Sequence, residues 1–212
     1  MIKLSVKGLA DFMTANDKKR RKILYDYKHP DDPESKAKIL YYQEARDLIH
    51  SYHKQASYLG WLEEQSQHLT RRANLADGKT QTRLRNNARA LRQYEANFGS
   101  RNFEVLHPKT FKLEFSDVSI STWPDLYVIE RGRERLIKLE FSNKEPQQRV
   151  IKIITQCMFE ASSAASPYVK SADVMFFDVP RGKDYKGARI GARLLGDIKA
   201  ACETISDIWE KI

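Results

Sequence analysis

Two carboxylates, Asp125 and Glu140, lie in the stretch WPDLYVIERGRERLIKLEFSNK from Trp123 to Lys144, among apolar, β-branched and aromatic neighbours. A carboxylate in a half-buried strand costs free energy unless a cation offsets it, and a hard divalent metal held by oxygen ligands is one such cation. Two acids on adjacent strands with a lysine nearby would suit metal-assisted phosphodiester hydrolysis. The ion activates a water and neutralises developing charge, while the amine orients the nucleophile or steadies the transition state. A purely structural use of the same residues is also open: Asp125 capping a turn beside Pro124, and Glu140 pairing with Arg133 or Arg135.

The pair must be positioned by a β-hairpin. Leu126–Glu130 and Leu136–Phe141 read as two strands joined through Arg131-Gly132-Arg133-Glu134, with a glycine in the turn. Asp125 opens the first strand and Glu140 lies deep in the second, which would let them face each other across the hairpin. Further strands are expected at Phe103–Leu106, Phe111–Phe115, Val118–Ser121 and Val174–Val179. A helix follows Pro146 and runs to about Ala161. A closing helix carries Ile190, Leu194, Ile198, Ala201, Ile205, Ile208 and Ile212 at helical spacing.

Before the strands the texture is helical. Ser5 caps a helix over residues 6–15, and another begins at Asp17 and stops at His29-Pro30-Asp31-Asp32-Pro33. From Pro33 to about Leu69 apolar residues recur at spacings of three and four. A further helix after Asp77-Gly78-Lys79-Thr80 ends at Gly99. These elements predict an α+β chain with an α/β-like core: a helical N-terminal region over residues 1–80, then a mixed central sheet flanked by helices over 81–212.

A Pro-Asp dipeptide, a hairpin, a second acid, a following helix and then a strand resembles the PD-(D/E)XK nuclease superfamily over roughly residues 83–180. The resemblance implies a restriction-endonuclease-like fold, with Asp125 and Glu140 ligating Mg²⁺ or Mn²⁺ and DNA, ahead of RNA, as the polymer cut. It also implies a glutamine from the following helix at the site, the place of Gln156. The superfamily's lysine stands two residues after the second acid, where this chain has Ser142. Lys138, Lys144 and Lys152 are the replacements in reach, Lys144 and Lys152 being the catalytic candidates. Glu95 is a candidate third acid. The serine also opens a second reading, an inactive nuclease-fold protein that binds nucleic acid or assembles with a protein partner or a second copy of itself.

Charge supports a polyanion partner. The chain carries 37 Lys/Arg against 28 Asp/Glu; residues 1–100 hold 19 against 12, net +7, leaving 18 against 16, net +2, for the rest. Arg85, Arg89 and Arg92 form a helical stripe able to follow a phosphate backbone. Arg181–Gly187, with Lys183 and Lys186 around Tyr185, reads as a basic flexible loop. His50 and His53, with His68, offer a His-x-x-His step that can bind zinc, but with no nearby Cys and no HExxH spacing they read as surface or core histidines, and Cys157 and Cys202 fall in apolar helical patterns. Two isolated cysteines, no secretory leader and no run near the ~20 apolar residues of a membrane span make a cytoplasmic setting the expectation, with no membrane role.

Overall fold

The computed structural model describes residues 1–188 and 192–212. The hairpin forms as β5 (Leu126–Glu130) and β6 (Arg133–Glu140), which pair antiparallel with Glu130 opposite Arg133. The turn therefore shrinks to Arg131 and Gly132, at φ 51° and 73°. Positive φ at both central residues makes a turn whose twist matches the strands, and glycine takes one of those positions without strain.

Around the hairpin a five-stranded sheet is ordered β2 (Glu104–Val105), β5, β6, β7 (Val174–Asp178), β8 (Lys183–Lys186). All neighbours are antiparallel except β6 and β7, which run parallel and are joined by α7 (Gln148–Ser163). A parallel pair needs such a crossover and is covered on both faces, so its strands read as nearly continuous apolar runs. Alternation along them splits the core in two. Leu136, Val174 and Phe176 face one cluster; Ile137, Leu139, Met175 and Phe177 face the other.

The first cluster is roofed by α1 (Val6–Thr14), α2 (Asp17–Lys28), α7 and α8 (Ala192–Trp209), with a three-stranded sheet of β1 (Ile2–Ser5), β4 (Val118–Ser121) and β3 (Lys112–Phe115) beside them. The second lies under α4 (Gln43–Lys54), α5 (Trp61–Asn74) and α6 (Gly78–Phe98). The fold class is α+β. The N-terminal residues contribute to both layers: β1, α1 and α2 join α7 and α8, whereas α4 and α5 pack with α6.

Ser5 caps α1 as its type and position suggest, its Oγ accepting from Gly8 N at 3.0 Å. Two expectations are corrected and one unassigned segment gains an element. The helical pattern from Pro33 to Leu69 is three helices, α3 (Pro33–Ile39), α4 and α5, because the chain turns at Leu40–Tyr42 and again at Gln55–Gly60, where Ala56 and Gly60 adopt positive φ. Periodicity alone cannot see such turns when the apolar phase resumes after them. Ile2–Ser5, unassigned from its sequence, becomes β1, parallel to β4. Residues 183–186 form edge strand β8, not a loop, because β7 offers them an antiparallel partner. Ile190, placed in the closing helix from sequence, lies outside the described residues; that helix is described from Ala192.

Candidate functional site

Asp125 N donates to Ile137 O at 2.9 Å, extending the β5–β6 ladder by one residue and setting Asp125 opposite Lys138. The expected face-to-face pairing of Asp125 with Glu140 is thereby corrected: Glu140 is one same-face step further along β6. In the parallel register of β6 with β7, Glu140 stands opposite Asp178. Side chains two apart on a strand share a face. Asp125, Lys138, Glu140 and Asp178 therefore form one row across three strands, at the carboxyl ends of the parallel pair, where open α/β sheets commonly bind ligands.

Each carboxylate in the row is matched to cations. The Asp125 side chain is 5% exposed, and Lys138 Nζ lies 3.1 Å from each of its oxygens. Leu139 N donates to its Oδ2 at 2.8 Å. Arg46 Nε of α4 lies 3.0 Å from Oδ1 as a charge contact, its N–H not aligned for a hydrogen bond. Glu140, 12% exposed, receives Lys7 Nζ of α1 at 2.8 Å on one oxygen and the amide of Ser142 at 3.0 Å on the other. Asp178 is fully buried and takes Arg181 Nη1 at 3.1 and 3.2 Å. Buried carboxylates persist only with such partners.

A fourth acid, Asp11, joins through α1, where Lys7 Nζ lies 3.7 Å from its carboxylate. Burial pushes the Asp11 carboxyl above its usual range, and the neighbouring charge of Glu140 adds to this against the pull of Lys7. Burial works to lower the Lys7 ammonium's pKa, but Glu140 and then Asp11 outweigh it and hold the pKa above its ordinary value. Lys7 is thus a fixed positive charge between two acids.

The loop after β6 is held at its base. Arg181 Nη2 donates to Asn143 O, and Arg89 of α6 donates to the Asn143 side-chain oxygen at 3.0 Å in the amide orientation that satisfies both groups. Tyr42 stacks on Phe141 with centroids 5.0 Å apart, and the Arg46 guanidinium lies over the same ring at 5.6 Å.

The residues nominated from sequence divide accordingly. Asp125 and Glu140 are in the row, and the amine that reaches Asp125 is that of Lys138. Lys144 and Lys152 are exposed, with no carboxylate partner among the described residues. Gln156 is buried in α7 and donates to Glu160 one turn on, leaving its Oε1 unpartnered. Glu95 closes the start of α5, accepting from the amides of Gly60 at 2.7 Å, Leu62 at 3.1 Å and Glu63 at 3.0 Å. Arg85 is exposed, but Arg89 holds the Asn143 loop and Arg92 donates to Ser66 Oγ at 2.7 Å. Lys183 approaches Glu145 at 3.9 Å, and Lys186 is exposed on β8.

His53 is buried, its Nε2 2.8 Å from the Tyr94 hydroxyl, whereas His68 is exposed beside Arg71. Arg133 and Arg135 do not pair with Glu140; Arg135 binds Asp173 and Glu130. Sequence reading missed Asp178, Lys7, Asp11 and Arg46, and it placed Arg181 in a basic loop and not beside an acid. Three of these left a signal: Asp178 is the one acid closing VMFFD, and Lys7 and Asp11 stand one turn apart on α1.

A divalent metal does not fit this donor set as it stands. Lys138, with either Arg46 or Leu139, already engages both Asp125 oxygens, Lys7 and Ser142 take those of Glu140, and Arg181 takes those of Asp178. Among the described residues no three His, Cys, Asp or Glu are grouped to hold a metal ion. Nor, among them, is any helix long and apolar enough to cross a membrane. Comparison of the chain with protein-family models, curated proteins and solved structures finds no match.

Proposed function

We propose that this chain is a nucleic-acid-binding or assembly protein on a restriction-endonuclease-like sheet, whose acid row is neutralised by its own cations and does not cut. The observation that carries the reading is the saturation of Asp125 by Lys138, Arg46 and the Leu139 amide. The strand order supports the fold: antiparallel β2-β5-β6, then α7 crossing to parallel β7, with the Pro-Asp at the start of β5 and Glu140 at the end of β6. Net charge +9 supports a polyanion, and the nuclease resemblance puts DNA ahead of RNA.

A second reading, an Mg²⁺- or Mn²⁺-dependent deoxyribonuclease, is favoured by one observation: Asp125, Lys138 and Glu140 share a face, which keeps two acids and an amine together. Supercoiled-plasmid nicking and gel-shift titration separate the readings. The expected result is a shift with a steep inverse salt dependence and no nicking in either metal. Metal-dependent nicking that disappears in Asp125→Ala and Glu140→Ala would overturn the first reading in favour of the second. Absence of any shift at low salt would overturn both.

A further inference from the structure

Trp123 is 49% exposed, yet both neighbours are buried: Thr122 fully, with its N and Oγ1 donating to Phe111 O at 2.9 and 3.1 Å, and Pro124. Its own carbonyl accepts from Lys138 Nζ at 3.2 Å. The backbone carrying the indole is therefore fixed on both sides, and an aromatic presented this way loses little conformational entropy when a ligand lies on it. The ring stands where β4 of the small sheet passes to β5 of the large one, at the end of the acid row.

The chain segment that pairs with the residues before Trp123 carries two lysines. Lys109 Nζ lies over the Phe111 ring at 5.2 Å, and Phe111 O is the acceptor that pins Thr122. Lys112 opens β3 opposite Ser121, two residues before Trp123. Among the described residues neither lysine pairs with a carboxylate; Glu114, opposite Ser119, is the acid on that face. An exposed indole with two lysines lacking carboxylate partners on the neighbouring segment suits a ligand with a flat π-face and negative charges along its backbone, and charge excludes an apolar or basic peptide from first place.

Resting on the nucleic-acid reading above, we infer that Trp123 is a stacking platform for an unpaired base of a single strand, with Lys109 and Lys112 on its phosphates. Stacking of this kind accepts any base and needs the strand open, because bases in a duplex are already stacked.

The test uses the whole protein with oligodeoxythymidylate and with a duplex of equal length, read by anisotropy across a salt series. Trp123→Ala should weaken single-strand binding roughly five- to hundredfold, with duplex binding within about twofold, and Trp123→Phe should recover most of the loss. Lys109→Ala with Lys112→Ala should lower the single-strand salt slope by about 1.4. Wild-type tryptophan fluorescence should be quenched by the oligonucleotide, and Trp123→Phe should abolish most of that quenching. Single-strand binding that survives Trp123→Ala unchanged overturns this inference and leaves the binding reading standing. A wild type that binds neither probe at low salt overturns that reading as well.

Discussion

The Lys138 ammonium lies 3.1 Å from both oxygens of Asp125, across the paired strands β5 and β6. In the nuclease pattern proposed above, the lysine follows the second acid; here the amine beside the first acid belongs to a residue two before that second acid, on the same face of β6. A lysine in that position neutralises Asp125 directly. Removing one partner of such a buried pair leaves the other charge without compensation. Lys138→Met should lower unfolding stability by about 3 kcal/mol, and adding Asp125→Asn should restore part of it. Urea denaturation of the two single variants and the double measures the coupling; additive losses would mean the pair is not energetically joined.

Divalent metal gives an independent check on the acid row. A ligand that binds only the folded state raises stability with its concentration. Millimolar Mg²⁺ or Mn²⁺ should leave the melting temperature of the wild type unchanged once ionic strength is matched. A saturable rise that vanishes in Glu140→Gln would show that the metal displaces Lys7 and Lys138.

His53 predicts the acid side of the stability curve. Burial lowers its pKa from the ordinary 6.5 to about 4, with His50 adding to the effect. Because the folded value lies below the unfolded one, the unfolded chain takes the proton first. The His53 contribution is therefore complete above pH 6.5 and is lost as pH falls toward about 4, by roughly 3 kcal/mol over that window. His53→Gln should flatten this part of the pH–stability profile; an unchanged slope would assign it to other groups.

The arginines of α6 should part company on substitution. Arg85→Ala should leave stability within about 0.5 kcal/mol and reduce the duplex salt slope by at most about 0.9 if it meets a phosphate. Arg89→Ala should cost about 1–3 kcal/mol because it releases Asn143 and the loop after β6. Faster hydrogen exchange at residues 142–147 would accompany it. Equal, negligible effects of both would return the stripe to a plain solvated surface.

Both cysteines face the first core cluster, where burial pushes the Cys157 thiol up to about 12 and that of Cys202 to about 11. The thiolate is the reactive form. Neither should react with an aromatic disulfide reagent in the native protein, and both should react in denaturant. Rapid native labelling of Cys202 would place it nearer solvent than its packing indicates.

What the sequence determined by itself is the local part of this protein. The alternation in LYVIE and RLIKLE, the glycine of the turn, the Ser5 cap and the apolar faces of α6 and α7 are short-range signals, and the elements formed where those signals lie. What only the tertiary structure decided is who meets whom. Period-two patterning tells which face a residue takes but not its partner across the ladder. Contraction of the turn to Arg131–Gly132 set Asp125 against Lys138 and moved Glu140 one step beyond. Lys7 and Arg46 reach the acids because α1 and α4 pack on opposite faces of the sheet, and Asp178 enters through the β6–β7 register. Lys112 comes level with Ser121, two residues before Trp123, because β3 folds back on β4. Residue type and spacing hint at some of these groups but not at their partners, since each contact depends on chain segments brought together by burial of the two cores.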